Sequence, residues 1–373
     1  MSTSITPSEP NIARKGRQPS RFISSLIWGL LTFVLLAAAF IVVCQFPVAE
    51  KILPLRSVDS YHSQFEIKWF KLEDYVRQNG GVDVILLGNS VVNTGMDPAV
   101  MTARYQELTG QKLRIFNFGI EGMTVAPLAK LTKILEDKYH PGSILLITDI
   151  RDYAALNGVA TEKQFLNNDW IKYKLGTYSL MGQLIDNSAA MQEILPFRNW
   201  SGSDFLDNFV VALHRNTVTT AVGYEEENRY GRDIDVNPNP NDPNEKENFR
   251  IFNNYSIDPQ RIQALLNIIA YQKEGTKVFI TGFPVYPTYY GYFTKDTLNS
   301  FNQNITSVVT NAGATYLPVI PYNSIPWEGR ADNHHLNFIG APAYSKLLAE
   351  QLAAACNTQQ NCLAKSTMEV TQP

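Results

Sequence analysis

The longest apolar run of the chain lies near its N-terminus, where residues 22–44 contain no charged side chain. As a helix this run would span roughly 34 Å, enough to cross a bilayer. Four basic residues precede it against a single acid, Glu9, which favours a cytoplasmic N-terminus: Arg14, Lys15, Arg17 and Arg21. We therefore expect an uncleaved, single-pass signal anchor in the cell membrane with the following domain outside the cytoplasm. A buried core helix and a cleaved signal peptide are the alternatives.

After residue 80 the pattern changes to short apolar runs that alternate with amphipathic stretches. The short runs predict strands at 82–90, 113–118, 143–149, 277–283 and 314–319. The amphipathic stretches predict helices at 97–108, 124–138, 258–274, 295–312 and 340–355. This alternation predicts an α/β fold with a parallel sheet covered on both faces.

The same pattern suggests how the chain is divided. We expect a cytoplasmic tail (1–21), the anchor (22–44), a stalk ending in an amphipathic helix (45–79), one domain (80–356) and a C-terminal tail (357–373). An insertion at about 155–250 interrupts the domain. The insertion contains helical pieces and then a stretch at 225–250 rich in Asn, Pro and acids, which is predicted as a long surface loop that forms no core.

Composition narrows the class of protein. Charged residues make up only 18% of the chain and apolar residues 45%, so a sizeable core can form. The net charge of −3 argues against a nucleic-acid partner. Three cysteines are too few for a disulfide scaffold. Cys356 and Cys362 are a candidate disulfide in an oxidising compartment, and two unpaired thiols are the alternative.

Two short motifs carry candidate chemistry. Gly88-Asn89-Ser90 ends the first predicted strand, and functional groups gather at the carboxyl ends of strands in parallel sheets. Asp332 precedes His335 by three residues in a loop before the last helix. A carboxylate so spaced can accept from His Nδ1–H while Nε2 faces a hydroxyl. Taken alone, each motif is also common in ordinary turns and polar loops.

Together with Asn-Phe-Gly-Ile-Glu-Gly at 117–122, these motifs fall in an order that resembles the SGNH (GDSL-type) hydrolase superfamily over residues 80–355. The resemblance extends to its membrane-anchored, extracytoplasmic members. It implies a flavodoxin-like three-layer α/β/α sandwich and no cofactor. It also implies Ser90 as nucleophile, His335 as general base and Asp332 as its orienting partner. The backbone N–H groups of Ser90 and Gly122 would form the oxyanion hole.

The sequence departs from that family at two places. Asn89 stands where the family's first block usually has Asp. The third block, usually Gly-x-Asn-Asp, is replaced by Asp149-Ile150-Arg151-Asp152, so the Asn that donates to the oxyanion is absent. Arg151 is predicted to donate in its place. Alternatively it is structural and pairs with Asp149 or Asp152.

Candidate substrate contacts lie beside these motifs. An aromatic run at 283–293 follows the fourth strand, and tyrosines beside a site can stack on sugar rings or simply pack the loop. Three residues are predicted to bind substrate: Asn89 of the first motif, and Tyr286 and Tyr289 of the aromatic run. The remaining histidines show no metal-ligand spacing, and no metal site is expected: His62, His140 and His214.

The leading expectation is a membrane-anchored serine esterase or O-acyltransferase acting on an ester or acylated cell-surface carbohydrate outside the membrane. The alternative is a catalytically impaired binding or assembly protein for a surface polysaccharide, with envelope assembly proteins as partners. A lipase that uses its anchor to reach phospholipid is a third possibility.

Overall fold

The computed structural model describes residues 21–44, 55–60, 62–198, 203–231, 234–243, 245–253 and 255–357. Two compact units are distinguished, Met1–Ile52 and Leu53–Pro373. Helix α1 (Arg21–Val43) belongs to the first unit. Within the described residues it holds the one stretch, Ile23–Val43, that is long and apolar enough to cross a membrane. This helix is compatible with a single-pass anchor or a signal sequence.

The second unit is built on five parallel strands in the order β2-β1-β3-β4-β5. They are β1 (Val84–Gly88), β2 (Ile115–Gly119), β3 (Ser143–Thr148), β4 (Lys277–Gly282) and β5 (Thr315–Tyr316). Every residue of β1, β2 and β3 is buried, as expected for apolar strands covered on both faces. The strand predicted at 314–319 is shorter than expected, because Pro318 has no N–H to continue the ladder.

Helices connect the strands and fill the insertion. In chain order they are α2 (Ser63–Asn79), α3 (Ser90–Gly95), α4 (Pro98–Thr109), α5 (Val125–Tyr139), α6 (Val159–Leu166), α7 (Asp169–Lys174), α8 (Leu180–Asn187), α9 (Ala189–Ile194), α10 (Ser203–Val218), α11 (Lys246–Phe252), α12 (Pro259–Ile269), α13 (Lys295–Asn311) and α14 (Gly340–Asn357). Short 3₁₀ helices include Ile150–Tyr153 and Trp327–Gly329.

Two hydrophobic clusters lie on opposite faces of the sheet. Alternate residues of a strand point to opposite faces, so Ile85 and Leu87 join one cluster while Val84 and Leu86 join the other. The first cluster is completed by α2, α5, α12 and α13, and the second by α3, α4 and α14. The predicted three-layer α/β/α architecture is confirmed.

The predicted stalk needs correction. Helix α2 lies within residues 45–79, yet its Phe65, Trp69 and Leu72 are at most 1% exposed and belong to the first hydrophobic cluster. The compact unit also begins at Leu53 rather than at residue 80. The physical reason is that the apolar face of an amphipathic helix is stable only when it is covered, and here the sheet covers it.

The insertion also differs from the prediction that residues 225–250 form no core. Ile234 is 1% exposed. The segment ends in α11, whose Phe252 is buried, rather than continuing as loop to residue 250. A polar segment can therefore still bury single apolar side chains, which anchor it to the domain.

Candidate active site

The nucleophile candidate stands where the sheet reverses its strand order. β1 is followed in the chain by β2 on one side, while β3 pairs with its other side, and ligands bind at such switch points in parallel sheets. Ser90 begins α3 directly after β1. A Cβ at Gly88 would lie 2.4 Å from Val92 Cγ2 and 2.6 Å from the Ile147 carbonyl oxygen, so this strand-to-helix turn requires glycine.

The histidine candidate lies in a tight loop before α14. Arg330 and Leu336 form an antiparallel bridge, and the Ala331 N–H donates to the His335 carbonyl oxygen at 3.0 Å. Inside this loop Asp332 Oδ1 accepts the His335 N–H at 2.7 Å. The carboxylate is therefore oriented by the backbone of the loop that also carries the imidazole.

The structure brings the three predicted catalytic side chains together. Ser90 Oγ lies 2.8 Å from His335 Nε2, although the two residues are 245 positions apart. His335 Nδ1 lies 2.8 Å from Asp332 Oδ2. When Nδ1 carries the proton and donates it in a hydrogen bond to the carboxylate, Nε2 is left to accept the serine proton. The arrangement is that of a Ser-His-Asp triad.

The charge state of the triad follows from its neighbours. Burial would raise the pKa of Asp332, but hydrogen bonds from His334 and His335 outweigh it and hold that pKa far below its usual range. Asp332 is therefore ionised at neutral pH. Burial lowers the pKa of His334 despite its contact with Asp332, which favours a neutral imidazole there.

The buried amide of Asn117 holds helix α3 and the residue after it through hydrogen bonds. Asn117 lies in the middle of β2, and its Nδ2 donates to the carbonyl oxygens of Val92 at 2.7 Å and Met96 at 2.8 Å. Its Oδ1 accepts from Lys68 Nζ of α2 at 3.3 Å. The sequence analysis included Asn117 in the motif at 117–122 but assigned it no role, and it did not single out Lys68.

Lys68 makes a testable contribution to stability. Its side chain is completely buried, and burial lowers its pKa to about 7. Below pH 7 folding must bury a charged lysine, which lowers the free energy of unfolding. Between pH 7 and the unfolded pKa of about 10.4 this cost falls by about 1.4 kcal/mol per pH unit, because the buried lysine is then neutral. We expect Lys68→Met to raise Tm relative to wild type more at pH 6 than at pH 9. Thermal unfolding across that range measures it.

Lys130→Met is the matched control, because Lys130 is exposed on α5. Its Tm difference from wild type should stay constant with pH. A constant difference for Lys68→Met as well would contradict the assignment of a depressed lysine pKa.

The predicted oxyanion donors lie on adjacent turns. Gly122 follows β2 with φ of 71°, a left-handed conformation that favours glycine. The Ile120 N–H donates to the Gly88 carbonyl oxygen at 3.0 Å, which ties this turn to the end of β1. In the described part of the chain, neither the Ser90 nor the Gly122 N–H donates to another protein group. Both donors are thus available to a ligand.

Arg151 is held by aromatic rings. Its guanidinium carbon lies 4.6 Å from the Phe252 ring centroid and 5.2 Å from that of Tyr289, and Nη2 donates to Asn248 Oδ1 at 3.3 Å. Burial alone would lower its pKa, but Tyr289 and the charge of Asp149 outweigh burial and raise it. Among the described residues, these aromatic and amide contacts, rather than an ion pair with Asp149 or Asp152, hold the guanidinium.

One of the three predicted substrate contacts, Tyr289, is corrected because its side chain is used inside the protein. Tyr289 is only 2% exposed, its hydroxyl donates to Asp149 Oδ2 at 3.0 Å, and its ring lies 5.0 Å from that of His334. It is therefore placed to support the site rather than to bind substrate. Asn89 is half-buried and its Nδ2 donates to Asp152 Oδ1 at 2.8 Å, and a substrate contact there stays a prediction.

Tyr286, the third, belongs to an exposed aromatic patch that also contains Tyr322 and Trp327. The ring of Tyr286 makes edge contacts with Tyr322 at 5.3 Å and Trp327 at 5.4 Å, and those two side chains are 42% and 47% exposed. The Tyr286 N–H donates to the Asn333 carbonyl oxygen at 2.7 Å, so the patch adjoins the triad loop. Sequence reasoning missed Tyr322 and Trp327.

The triad loop is also where a metal ion would find ligands. Asp332, His334 and His335 each offer a ligand atom, and these atoms lie within 4.8 Å of one another. Hydrogen bonds within the loop already account for that closeness, and His335 Nε2 contacts Ser90. A bound cation would have to replace these contacts. The side chains fit a triad as they stand.

Of the two cysteines in the candidate disulfide, Cys356 lies within the described residues. Cys356 is disulfide-bonded in the last turn of α14. Its predicted partner, Cys362, lies outside the described residues.

Fold and site together define a class of α/β protein with a Ser-His-Asp triad at the carboxyl edge of a parallel sheet. The three side chains are those that the resemblance to SGNH (GDSL-type) hydrolases implied, and they contact one another.

Comparison with known proteins gives no matching family model and no matching curated protein. Solved structures similar to the chain include TesA, at 13% identity and a TM-score of 0.37, covering 74% of this chain and 98% of that one. They also include a lipase/acylhydrolase from Enterococcus faecalis, at 10% identity and a TM-score of 0.35, covering 74% and 98%. Likeness of this degree carries no argument about the reaction, which we infer from the side chains.

Proposed function

We propose that this protein is a serine esterase or O-acyltransferase of the SGNH type that works through an acyl-enzyme. The observation that carries the proposal is the 2.8 Å contact between Ser90 Oγ and His335 Nε2, completed by Asp332 at the same distance from Nδ1. A hydroxyl is a weak nucleophile at neutral pH unless an oriented base takes its proton. This contact supplies such a base.

The reaction proceeds in two halves. Ser90 Oγ forms a bond to the ester carbonyl carbon as its proton passes to His335 Nε2, and the carbonyl oxygen becomes an oxyanion. The Ser90 and Gly122 N–H groups stabilise this oxyanion. The C–O bond then breaks, His335 returns the proton to the leaving alcohol, and the acyl group remains on Ser90. In the second half, water or a sugar hydroxyl gives its proton to His335 and its oxygen bonds to the acyl carbon. The bond between that carbon and Ser90 Oγ then breaks, and His335 returns the proton to Oγ.

We propose that the site acts outside the cytoplasmic membrane on an acyl ester of a surface carbohydrate. The apolar helix α1 and the basic residues before it support this location. The disulfide at Cys356 supports it independently, because disulfides persist in oxidising compartments. The exposed aromatic patch beside the triad supports a sugar substrate, since aromatic faces stack on sugar rings.

A second candidate function is a binding or assembly protein that retains the fold without turnover. The observation that favours it is the Arg151 guanidinium, which stands at the position of an oxyanion-donating Asn and is held against Phe252 and Tyr289. Loss of one oxyanion donor costs about a hundredfold or more in rate.

Labelling with a fluorophosphonate probe tests the proposal. We expect one covalent label per chain on the full-length protein in detergent, at Ser90, because an activated serine attacks phosphorus as it attacks a carbonyl. Ser90→Ala should abolish the label. A folded wild-type protein that stays unlabelled would contradict the enzyme and favour the binding role. Hydrolysis that rises with acyl chain length would instead point to a lipase.

A further inference from the structure

A hydrogen-bonded pair of an amide and an acid, half-buried Asn89 and buried Asp152, adjoins the nucleophile. Asn89 Nδ2 donates to Asp152 Oδ1 at 2.8 Å, joining the end of β1 to the 3₁₀ helix that follows β3. Asn89 departs from the family's first block, whereas Asp152 is the last residue of the third block and matches the Asp of the family pattern. We propose that this pair positions Ser90 for attack and that its function depends on one residue being an amide and the other an acid. The inference rests on the proposed function.

The Asn89 end controls the first turn of α3. Asn89 is the N-cap of that helix, and its Oδ1 accepts the Val91 N–H at 3.0 Å. The amide orientation is thereby determined, because Oδ1 serves the helix and Nδ2 must face Asp152. Since Ser90 lies between the cap and Val91, this hydrogen bond spans the backbone turn that carries the nucleophile.

The Asp152 end is rigid. Asp152 is 2% exposed, and its second oxygen, Oδ2, accepts the Asp149 N–H at 3.0 Å within a capping box. Its carbonyl oxygen accepts from Nη1 of the buried Arg261 at 3.0 Å. The carboxylate therefore stands in one orientation and presents Oδ1 to Asn89.

The same turn also reaches the histidine loop. Asp149 Oδ2 accepts the Tyr289 hydroxyl at 3.0 Å, and the Tyr289 ring lies 5.0 Å from the His334 ring. The altered third block therefore touches both halves of the triad, Ser90 through Asn89 and His335 through its neighbour. This gives the block a positioning role that needs no oxyanion donor.

One residue of the pair donates the hydrogen bond and the other accepts it, so exchanging the amide and the acid between positions 89 and 152 tests the proposal. Asn89→Asp places two acid groups face to face, and burial and the charge of Asp149 already raise the pKa of one of them, Asp152. Asp152→Asn places two amides face to face. The double exchange restores one donor and one acceptor. It also keeps the other bonds, because an acid at 89 still accepts the Val91 N–H and an amide at 152 still accepts the Asp149 N–H.

The experiment is a double-mutant cycle on the full-length protein, with kcat and KM on a small acetyl ester and Tm for each variant. We expect each single exchange to lower kcat about tenfold or more with KM changed less than about twofold, since the loss is in alignment. We expect the double exchange to return kcat to within about threefold of wild type. Asp97→Asn, at the cap of α4, is the matched control and should leave kcat unchanged.

Asn89→Ser provides a second route if a single exchange does not fold. Serine is a good N-cap but is too short to reach Asp152, so α3 should stay capped while kcat falls about tenfold. The inference is overturned if the double exchange is no more active than the worse single exchange. It is also overturned if Asn89→Ser keeps wild-type kcat.

These outcomes are separate from failure of the proposed function. If Ser90→Ala keeps turnover, the acyl-enzyme itself is wrong, and the pair has no nucleophile to position. If Ser90→Ala is inactive but exchange does not restore kcat, only the positioning role is wrong.

Discussion

Ser90→Ala and His335→Ala are each expected to lower kcat on a small acetyl ester at least about a thousandfold. The reason is that Ser90 Oγ and His335 Nε2 act on one proton, and either change leaves no activated nucleophile. Because the two residues work as a unit, the double variant should be hardly less active than either single one. Steady-state hydrolysis with a chromogenic acetate measures all three variants.

The matched controls are Ser307→Ala on α13 and His214→Ala on α10, which remove the same groups at exposed positions. Their turnover should equal that of wild type. Tm of the Ser90→Ala variant should stay within about 3 °C of wild type, because one partly exposed hydroxyl is lost. Turnover within tenfold of wild type in either catalytic variant would rule out the triad.

Asp332→Asn is expected to lower kcat about a thousandfold or more while changing almost no atoms. The Asn Oδ1 can still accept the His334 and His335 N–H groups, so the loop keeps its shape. The Nδ2 that replaces Oδ2 donates to His335 Nδ1, which forces the proton onto Nε2. A protonated Nε2 cannot take the proton of Ser90. The loss should appear in kcat rather than in KM.

Asp258→Asn is the control for this change, since Asp258 caps α12 and makes no contact with the triad loop within the described residues. Its kcat should match wild type. Fluorophosphonate labelling gives a second measurement, in which Asp332→Asn should react much more slowly than wild type. Equal labelling rates would mean that Asp332 does not set the tautomer of His335.

The changed third block explains why motif comparison alone misjudges this site. The absent Asn suggested a weakened oxyanion hole, and Arg151 was the predicted substitute. In the structure Arg151 packs between Phe252 and Tyr289, while Asp149 and Asp152 carry the contacts that reach the triad. The block is thus engaged with the site through its two acids rather than through its cation.

Local pattern determined much of this protein. Apolar runs alternating with amphipathic stretches predicted the parallel sheet, because strands buried on both faces must be apolar throughout. The apolar helix near the N-terminus followed from its length and lack of charge. The contact of Asp332 with His335 was also predictable, since a spacing of three residues in a loop lets the two side chains meet.

Tertiary structure decided what depends on partners distant in sequence. No periodicity indicates that Asn89 faces Asp152, or that Tyr289 turns inward to Asp149 instead of outward to substrate. The apolar face of α2 was visible, but its placement on the sheet was not. The local sequence determines which secondary structure a segment forms and which polar groups it carries. Burial and hydrogen-bond partners are decided only when the sheet brings together residues that are tens to hundreds of positions apart.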